Sequence, residues 1–393
     1  MAERVAVVGS GPSGFYACHA LLRAHPDVLV DLYERLPVPY GLVRYGVAPD
    51  HAQIKRIAVT FERIAANPRV RFFGGVQATF EELDAAYHAV IWAVGRPLGR
   101  TLDLPGAQLE GVFPASDFAY WVNGHPDYAH LDFGLDRVQR VLVVGNGNVA
   151  VDVGRLLARR VEELEDSDTP EAVLDQLRRS TVQEVVMMGR RGPDQAAWTA
   201  KHIGDLRKLE THRQVEERFL ASPGAFLGEQ RVEAVELVRN ELVEERAVAT
   251  SETWTEPFQL VIQAIGYRAV ELPGLPFGPR GIPHEEGRVL DRPGHYLVGW
   301  AKRGPTGAIG VNRGDAKQTV ARLLEDLPDL REPAQPRPEQ RGLSWADWER
   351  VDAEEIRRGQ ARGKSREKFT SIEELRAAAS PPPGTPTSDP LPG

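Results

Sequence analysis

The chain has one cysteine, Cys18, among 393 residues. A single thiol excludes an intramolecular disulfide, a redox-active cysteine pair and a cysteine-ligated iron–sulfur cluster carried by this chain alone. Any electron chemistry must therefore run through a bound organic group. No apolar run reaches the roughly 18 residues a membrane helix needs, so no membrane span is expected. The first strand-like run, residues 5–8, starts almost at Met1. That leaves no room for a signal or transit peptide, and a cytoplasmic location is expected. Basic excess is missing too: the formal net charge is −8, which argues against nucleic acid as a partner, local basic patches aside. No metal-ligating set is singled out.

What is present is length enough for two or three cores and a glycine distribution with a pattern. RVAVVGSGPSG at 4–14 and RVLVVGNGNVA at 140–150 look alike, and each is followed by a helical run. A short apolar strand, a glycine loop and a helix open a βαβ nucleotide-binding unit. HAVIWAVG at 88–95 and LVIQAIG at 260–266 resemble the closing strands of two such units. YLVGW at 296–300 reads as one more strand, followed by a glycine-rich turn and a helix from about 310 to 327. The simplest topology is α/β, with two Rossmann-like, three-layer, parallel-sheet dinucleotide-binding domains, the second inserted into the first. The expected boundaries are 1–105 and 293–330 for the first domain, 106–292 for the second and 331–379 for a linker with a helical extension. A disordered tail is expected at 380–393. The charged stretch 161–180 reads as an exposed helical excursion.

The residues after each loop divide the labour. In the first, Gly9 permits the tight turn, Gly11 lets backbone approach a pyrophosphate, and Gly14 lets the helix pack on the sheet. Twenty residues on stands Glu34. Its carboxylate can accept bonds from both ribose hydroxyls of an adenosine and would repel a 2′-phosphate, so this loop suits FAD or NAD. In the second loop, Gly145 and Gly147 are followed by Ala150, and the next strand runs into Arg190 and Arg191. Paired guanidinium groups suit a 2′-phosphate, so this site reads as NADP-binding. The competing reading of the two arginines is ordinary solvated surface charge.

Two irregular stretches remain. WAKRGPTGAIG at 300–310 brings backbone close to a planar ligand, with free amides expected at Gly307, Ala308 and Ile309. Trp300 either shields that ligand or packs in a core. PVPYGLVRYGVAPDH at 37–51 is too rich in proline and glycine for a regular element, yet carries Tyr40, Leu42 and Tyr45. It should be ordered by packing on the cofactor, where His51 either bonds near the reacting ring or serves structure alone.

These motifs resemble the ferredoxin–NADP reductases of the adrenodoxin reductase type, in their bacterial branch. The resemblance spans nearly the whole chain and rests on residues 5–14, 40–51, 145–152, 189–193 with Gln195 and Thr199, and 299–312. The tail segments SWADW at 344–348 and KFTS at 368–371 join it. GVAPDH at 46–51 and RGPTG at 303–307 are its most specific stretches. The resemblance implies FAD contacts at Ser13, Glu34, Leu42, Val76, Trp300 and 307–309, and NADP contacts at Asn146, Gly147, Asn148, Val149, Arg190, Arg191 and Gly307. It implies hydride transfer from NADPH to flavin N5, then single electrons to a ferredoxin or similar small acidic iron–sulfur protein. Lys201, Arg207, Lys208 and Arg213 are candidates for that partner's landing patch, against the reading of a solvated face.

Two departures stand out. The family usually has a glutamate where this chain has His202, at the nicotinamide end of NADP, and Asp205 follows three residues later. His51 and Asp205 are therefore paired as the expected catalytic groups. The stretch 206–255 is shorter than the family norm. A glutamate synthase small-subunit role and a thioredoxin reductase both call for cysteines this chain lacks. A flavin monooxygenase fits the RGPTG run less well, and a non-catalytic FAD/NADP sensor is the alternative from another class.

Overall fold

The computed structural model describes residues 2–381. Of the tail expected at 380–393, residues 382–393 lie outside the described residues.

The strand Arg4–Val8 has its three central residues buried on both faces, the signature of a parallel strand sandwiched between helices. It pairs in parallel with Leu29–Glu34 on one side and Ala89–Trp92 on the other. Val70–Gly74 extends the sheet beyond Leu29–Glu34. On the opposite edge His295–Leu297 joins in parallel, followed by the short antiparallel strands Arg288–Val289 and His284–Glu285. The second sheet is wholly parallel, in the order Val112–Pro114, Leu260–Gln263, Arg140–Val144, Glu184–Gly189, Gln214–Phe219. The second sheet is thus inserted into the chain of the first. The chain rejoins the first sheet at His284, earlier than the boundary expected near residue 293. The two crossing connections pair with each other, Leu98–Gly99 running antiparallel to Tyr267–Arg268.

A separate three-stranded antiparallel sheet, Ala221–Leu227, Ala234–Val243 and Arg246–Pro257, stands on the second sheet. Phe226, Val235, Leu237 and Phe258 pack against the faces of Leu142, Val186 and Val261.

Three expectations need correction. The 161–180 stretch is only superficially exposed. Leu164, Val173, Leu174 and Leu177 are buried in the second core, and Asp168 faces Lys55 and Lys368. Its charges conceal an apolar face at helical spacing. Residues 331–341 do not hang free, because Arg337 bonds both oxygens of Asp31, a fully buried carboxylate that also receives Arg71 and Tyr87. Leu343 then exchanges backbone bonds with Gly74, and the helix Trp345–Gln360 lies on the first sheet's edge. Third, the strand expected over 296–300 ends at Leu297, and Trp300 opens the short helix Trp300–Arg303. No helix among the described residues is long and apolar enough to cross a membrane.

Candidate functional site

The first glycine loop is shaped by two steric demands from the protein and one that the protein does not make. Gly9 has φ +105°, and a Cβ there would stand 2.6 Å from the Ala93 carbonyl oxygen. A Cβ on Gly14 would stand 1.9 Å from the Gly9 carbonyl oxygen, so the helix Pro12–Ala24 packs where only glycine fits. At Gly11 a Cβ would meet nothing closer than the Gly41 Cα at 4.0 Å. The space over Gly11 is open, and beside it the Ser13 and Gly14 amides of the helix's first turn have no intrahelical acceptor.

Glu34 ends the next strand and is held toward this loop. One carboxylate oxygen accepts from the Ser10 amide at 3.0 Å and the Ser10 hydroxyl at 2.7 Å, and the other from the Leu36 amide at 3.1 Å. Each oxygen has two lone pairs, so capacity for a ribose hydroxyl remains. The Val76 amide bonds the Glu34 carbonyl at 2.9 Å, which brings Val76 to the same strand end. The 37–51 loop closes the other side. Tyr40 donates its amide to the Ser10 carbonyl at 3.0 Å, with φ +85°, a strained value for tyrosine. Packing supports the strain, the ring lying 5.8 Å from Phe15 and edge-on to Trp348 at 5.6 Å. Leu42 begins the short helix Leu42–Tyr45 next to Gly41.

The second loop repeats the geometry. Gly145 has φ +134° and faces the Ala264 carbonyl, while a Cβ on Gly147 would meet nothing within 4 Å. The segment 197–199 lies across it. The Ala197 amide bonds the Asn146 carbonyl at 2.9 Å, and the Thr199 amide bonds the Asn148 side chain at 2.8 Å. Arg190 is exposed and Arg191 half-buried at the end of Glu184–Gly189. Nearby Arg207 and Arg218 pair with Glu217, Glu216 and Glu256. The Arg190 and Arg191 guanidinium groups take no carboxylate partner among the described residues.

The turn after Gly299 meets the first loop head-on. Ser13 donates its hydroxyl to Asn312 at 3.0 Å, Arg303 bonds the same Asn312 oxygen at 2.7 Å, and Asp315 accepts the Gly299 amide at 2.6 Å. Residues 306–308 are exposed, and the amides of Gly307, Ala308 and Ile309 have no acceptor among the described residues. The helix Val311–Asp326 follows directly. Trp300 is half-buried rather than in a core, and its ring lies 5.3 Å from that of Tyr267. Tyr267 borders a small cavity with Gly46, Val149 and Asp152, so the 37–51 loop and the helix after the second glycine loop meet there.

His51 sits in that region, and its partner is not the one expected. His51, Asp152 and His202 approach so closely that one ligand atom from each lies within 4.8 Å of the others. The two imidazoles meet edge-on at 5.4 Å. Asp205 is outside the group. It lies almost one helical turn beyond His202, whereas Asp152 projects from Asn148–Ala158 directly at the junction. Burial, then the charge of Arg155, holds the His51 pKa below its ordinary value against the opposing pull of Asp152 and Asp50. Burial raises that of Asp152. Arg155 fixes the group from behind, binding Asp50 at 2.7 and 2.9 Å and Asp152 at 2.8 Å.

Sequence reading passed over Asp152, Arg155 and Tyr267. Asp152 and Arg155 stand three apart on the helix after the second loop, so they share a face that the glycine motif alone did not flag. Of the expected landing residues, Lys201, Arg207 and Lys208 are exposed, with Arg207 committed to Glu217. Arg213 turns inward onto the Leu157 carbonyl and does not belong to an open patch.

A family model described as pyridine nucleotide-disulphide oxidoreductase matches residues 3–282. The chain is 38% identical to the NADPH-ferredoxin reductase FprA of Mycobacterium tuberculosis, over 94% of this chain and 98% of the relative. It is 37% identical to the mitochondrial NADPH:adrenodoxin oxidoreductase of Bos taurus, over 95% of this chain and 91% of the relative. A solved structure of M. tuberculosis FprA in complex with NADPH superposes with a TM-score of 0.91 at 36% identity, covering 96% of this chain and all of that one. Lactococcus lactis thioredoxin reductase shares the fold at a TM-score of 0.55 and 18% identity.

Proposed function

The chain belongs to the pyridine nucleotide-disulphide oxidoreductase family, within its NADPH-ferredoxin and NADPH:adrenodoxin reductase group, and from that premise we propose that it is an NADPH-dependent, FAD-containing reductase of a small acidic iron–sulfur protein of the ferredoxin type. One observation carries the reading: two glycine loops each leave open the space that a Cβ would occupy, and they differ in the charge that follows. Glu34 follows the first and Arg190 with Arg191 the second. An FAD adenosine with a free ribose suits the first, and a 2′-phosphorylated nucleotide suits the second.

The residues present fit FAD. Gly11, Ser13 and Gly14 would take the pyrophosphate on their amides at the positive end of Pro12–Ala24, while Gly9, whose own amide bonds the Tyr33 carbonyl at 2.8 Å, makes the turn that brings them there. Glu34 would take the ribose, with Val76 beside the adenosine. Leu42, Trp300 and the amides of Gly307, Ala308 and Ile309, which have no acceptor among the described residues, would line the ring system. NADP(H) would lie over Asn146, Gly147, Asn148 and Val149, its 2′-phosphate on Arg190 and Arg191 and its nicotinamide end toward His202. Bound flavin supplies the exchange between two-electron and one-electron transfer, which no side chain of this protein provides. Cys18 does not, being buried with its thiol pushed up to about 12.

The chain's own contribution is positioning and exclusion. Arg155 orients Asp152 beside His51, and Tyr267 and Trp300 screen the junction from water. His51, neutral at neutral pH, presents one donor and one acceptor there. Asp152 takes the place beside it that the sequence suggested for Asp205. The reading is tested with FAD-loaded full chain and NADPH, using cytochrome c reduction to report on a panel of ferredoxins. Acceleration by acidic ferredoxins supports the reading, and NADPH oxidation that no ferredoxin accelerates overturns it.

A further inference from the structure

The junction cluster has a chemical capacity that neither nucleotide requires. We propose that His51, Asp152 and His202 form a binding site for one divalent cation of the zinc type. The donor set is two imidazoles and one carboxylate, each on a separate element. His51 precedes the short helix Ala52–Lys55, Asp152 projects from Asn148–Ala158, and His202 from Ala200–Arg207. All three are half-buried, so a cation would be partly desolvated yet reachable. Two nitrogens and one oxygen with an open fourth position suit zinc, cobalt(II), nickel or copper(II) over magnesium or calcium, which prefer oxygen.

The spacing is close to what such an ion needs. Four-coordinate zinc with bonds near 2.0–2.1 Å holds neighbouring ligand atoms about 3.3 Å apart. The three ligand atoms already lie within 4.8 Å of one another, so small rotations of the imidazoles close the set. Backing contacts are in place as well. His202 Nδ1 is 2.7 Å from the Thr199 hydroxyl, which leaves Nε2 for a cation and fixes the ring plane. Arg155 holds one Asp152 oxygen at 2.8 Å and leaves the other free. Arg155 also pairs with Asp50, which holds it in place behind Asp152.

A cation bound here would tie the 37–51 loop of the first unit to two helices of the second. It would also occupy the end of the second nucleotide site, so it competes with NADPH if the functional reading is right. Binding itself does not depend on that reading and is measured directly.

The experiment uses FAD-loaded full chain, first treated with chelator. Zinc chloride is titrated by calorimetry, and cobalt(II) is titrated while following its visible absorption beyond the flavin band. One equivalent is expected, with the intense bands of four-coordinate cobalt. H202A and D152N should each weaken binding about 100-fold, and T199V about 10-fold through loss of ring orientation. Thermal melting of each variant without metal checks that the fold is kept, and T199V retains every ligand if either ligand variant fails to fold. Zinc affinity in H202A or T199V equal to that of the parent, or cobalt spectra of six-coordinate type only, overturns the proposal. Zinc binding that H202A abolishes, in a chain that oxidises no NADPH even without zinc, leaves the site standing and contradicts the functional reading instead.

Discussion

Arg155 grips Asp50 through two parallel hydrogen bonds, at 2.7 and 2.9 Å, with both side chains almost wholly buried. The arginine belongs to the helix that opens the second nucleotide unit. The aspartate belongs to the loop that covers the first, immediately before His51. The pair therefore sets where His51 stands relative to the second unit. Burial works against ionisation of Asp50, and Arg155 overcomes it, holding the carboxyl below its usual range.

Removing one partner strands the other. R155A should cost about 3 kcal/mol of stability in denaturant unfolding, toward the low end for a broken buried pair because Arg159 also reaches Asp50 at 3.3 Å. A double-mutant cycle with D50A should recover part of that loss, since the buried Asp50 carboxylate is then gone and only Asp152 still lacks its arginine. R155K keeps the charge but loses the two-pronged geometry, and should lower turnover with NADPH more than it lowers stability.

The glycines of the first loop should separate structure from ligand. G11A has room in the protein, and its φ of −76° suits alanine, so its melting without cofactor should match the parent. A methyl group over the pyrophosphate should weaken FAD retention by about 10- to 100-fold, measured by flavin release on dilution. G14A drives a Cβ into the Gly9 carbonyl and should instead destabilise the chain by roughly 3 kcal/mol even without FAD.

His125 predicts a pH dependence of stability. Burial depresses its pKa to about 4, and its Nδ1 accepts the Asp127 amide at 3.1 Å. The unfolded chain takes up that proton near 6.5, while the folded chain does so only near 4. Between those values the unfolded state binds more protons, so this group's contribution is complete above pH 6.5 and is lost as pH falls toward 4. The loss should be on the order of 3 kcal/mol, read from urea midpoints at pH 7 and pH 4.5. H125Q, which retains an acceptor for the amide, should flatten that part of the profile.

Much of the fold was legible because its punctuation is local. Gly9, Gly14 and Gly145 stand where only glycine fits, and in the strands before them Val5, Ala6, Val7 and residues 141–144 are buried, as a parallel strand covered on both faces requires. The positions of Glu34 and the two arginines at strand ends were equally readable, since each follows its loop by one βα crossing. The His51 partnership was not. Asp152 and Asp205 both lie on helices facing the junction, and choosing between them takes the packing angle of the two units. The buried face of 161–180 escaped for a related reason, because Asp168 meets Lys55 and Lys368 only once distant segments have folded onto it.

The arginine pair carries the nucleotide assignment. R190A and R191A should each raise the KM for NADPH by about 10- to 100-fold, the loss of charge-assisted hydrogen bonds to a phosphate, and leave the KM for NADH nearly unchanged. Equal effects on both nucleotides would assign the arginines to structure.

The most direct test of the whole account is anaerobic stopped-flow mixing of the FAD-loaded chain with NADPH and, separately, with NADH, following the flavin absorbance band. The account predicts rapid bleaching by NADPH at low concentration and much weaker reduction by NADH at the same concentration. Flavin that stays unbleached by NADPH for minutes, or that NADH bleaches equally well, would contradict it.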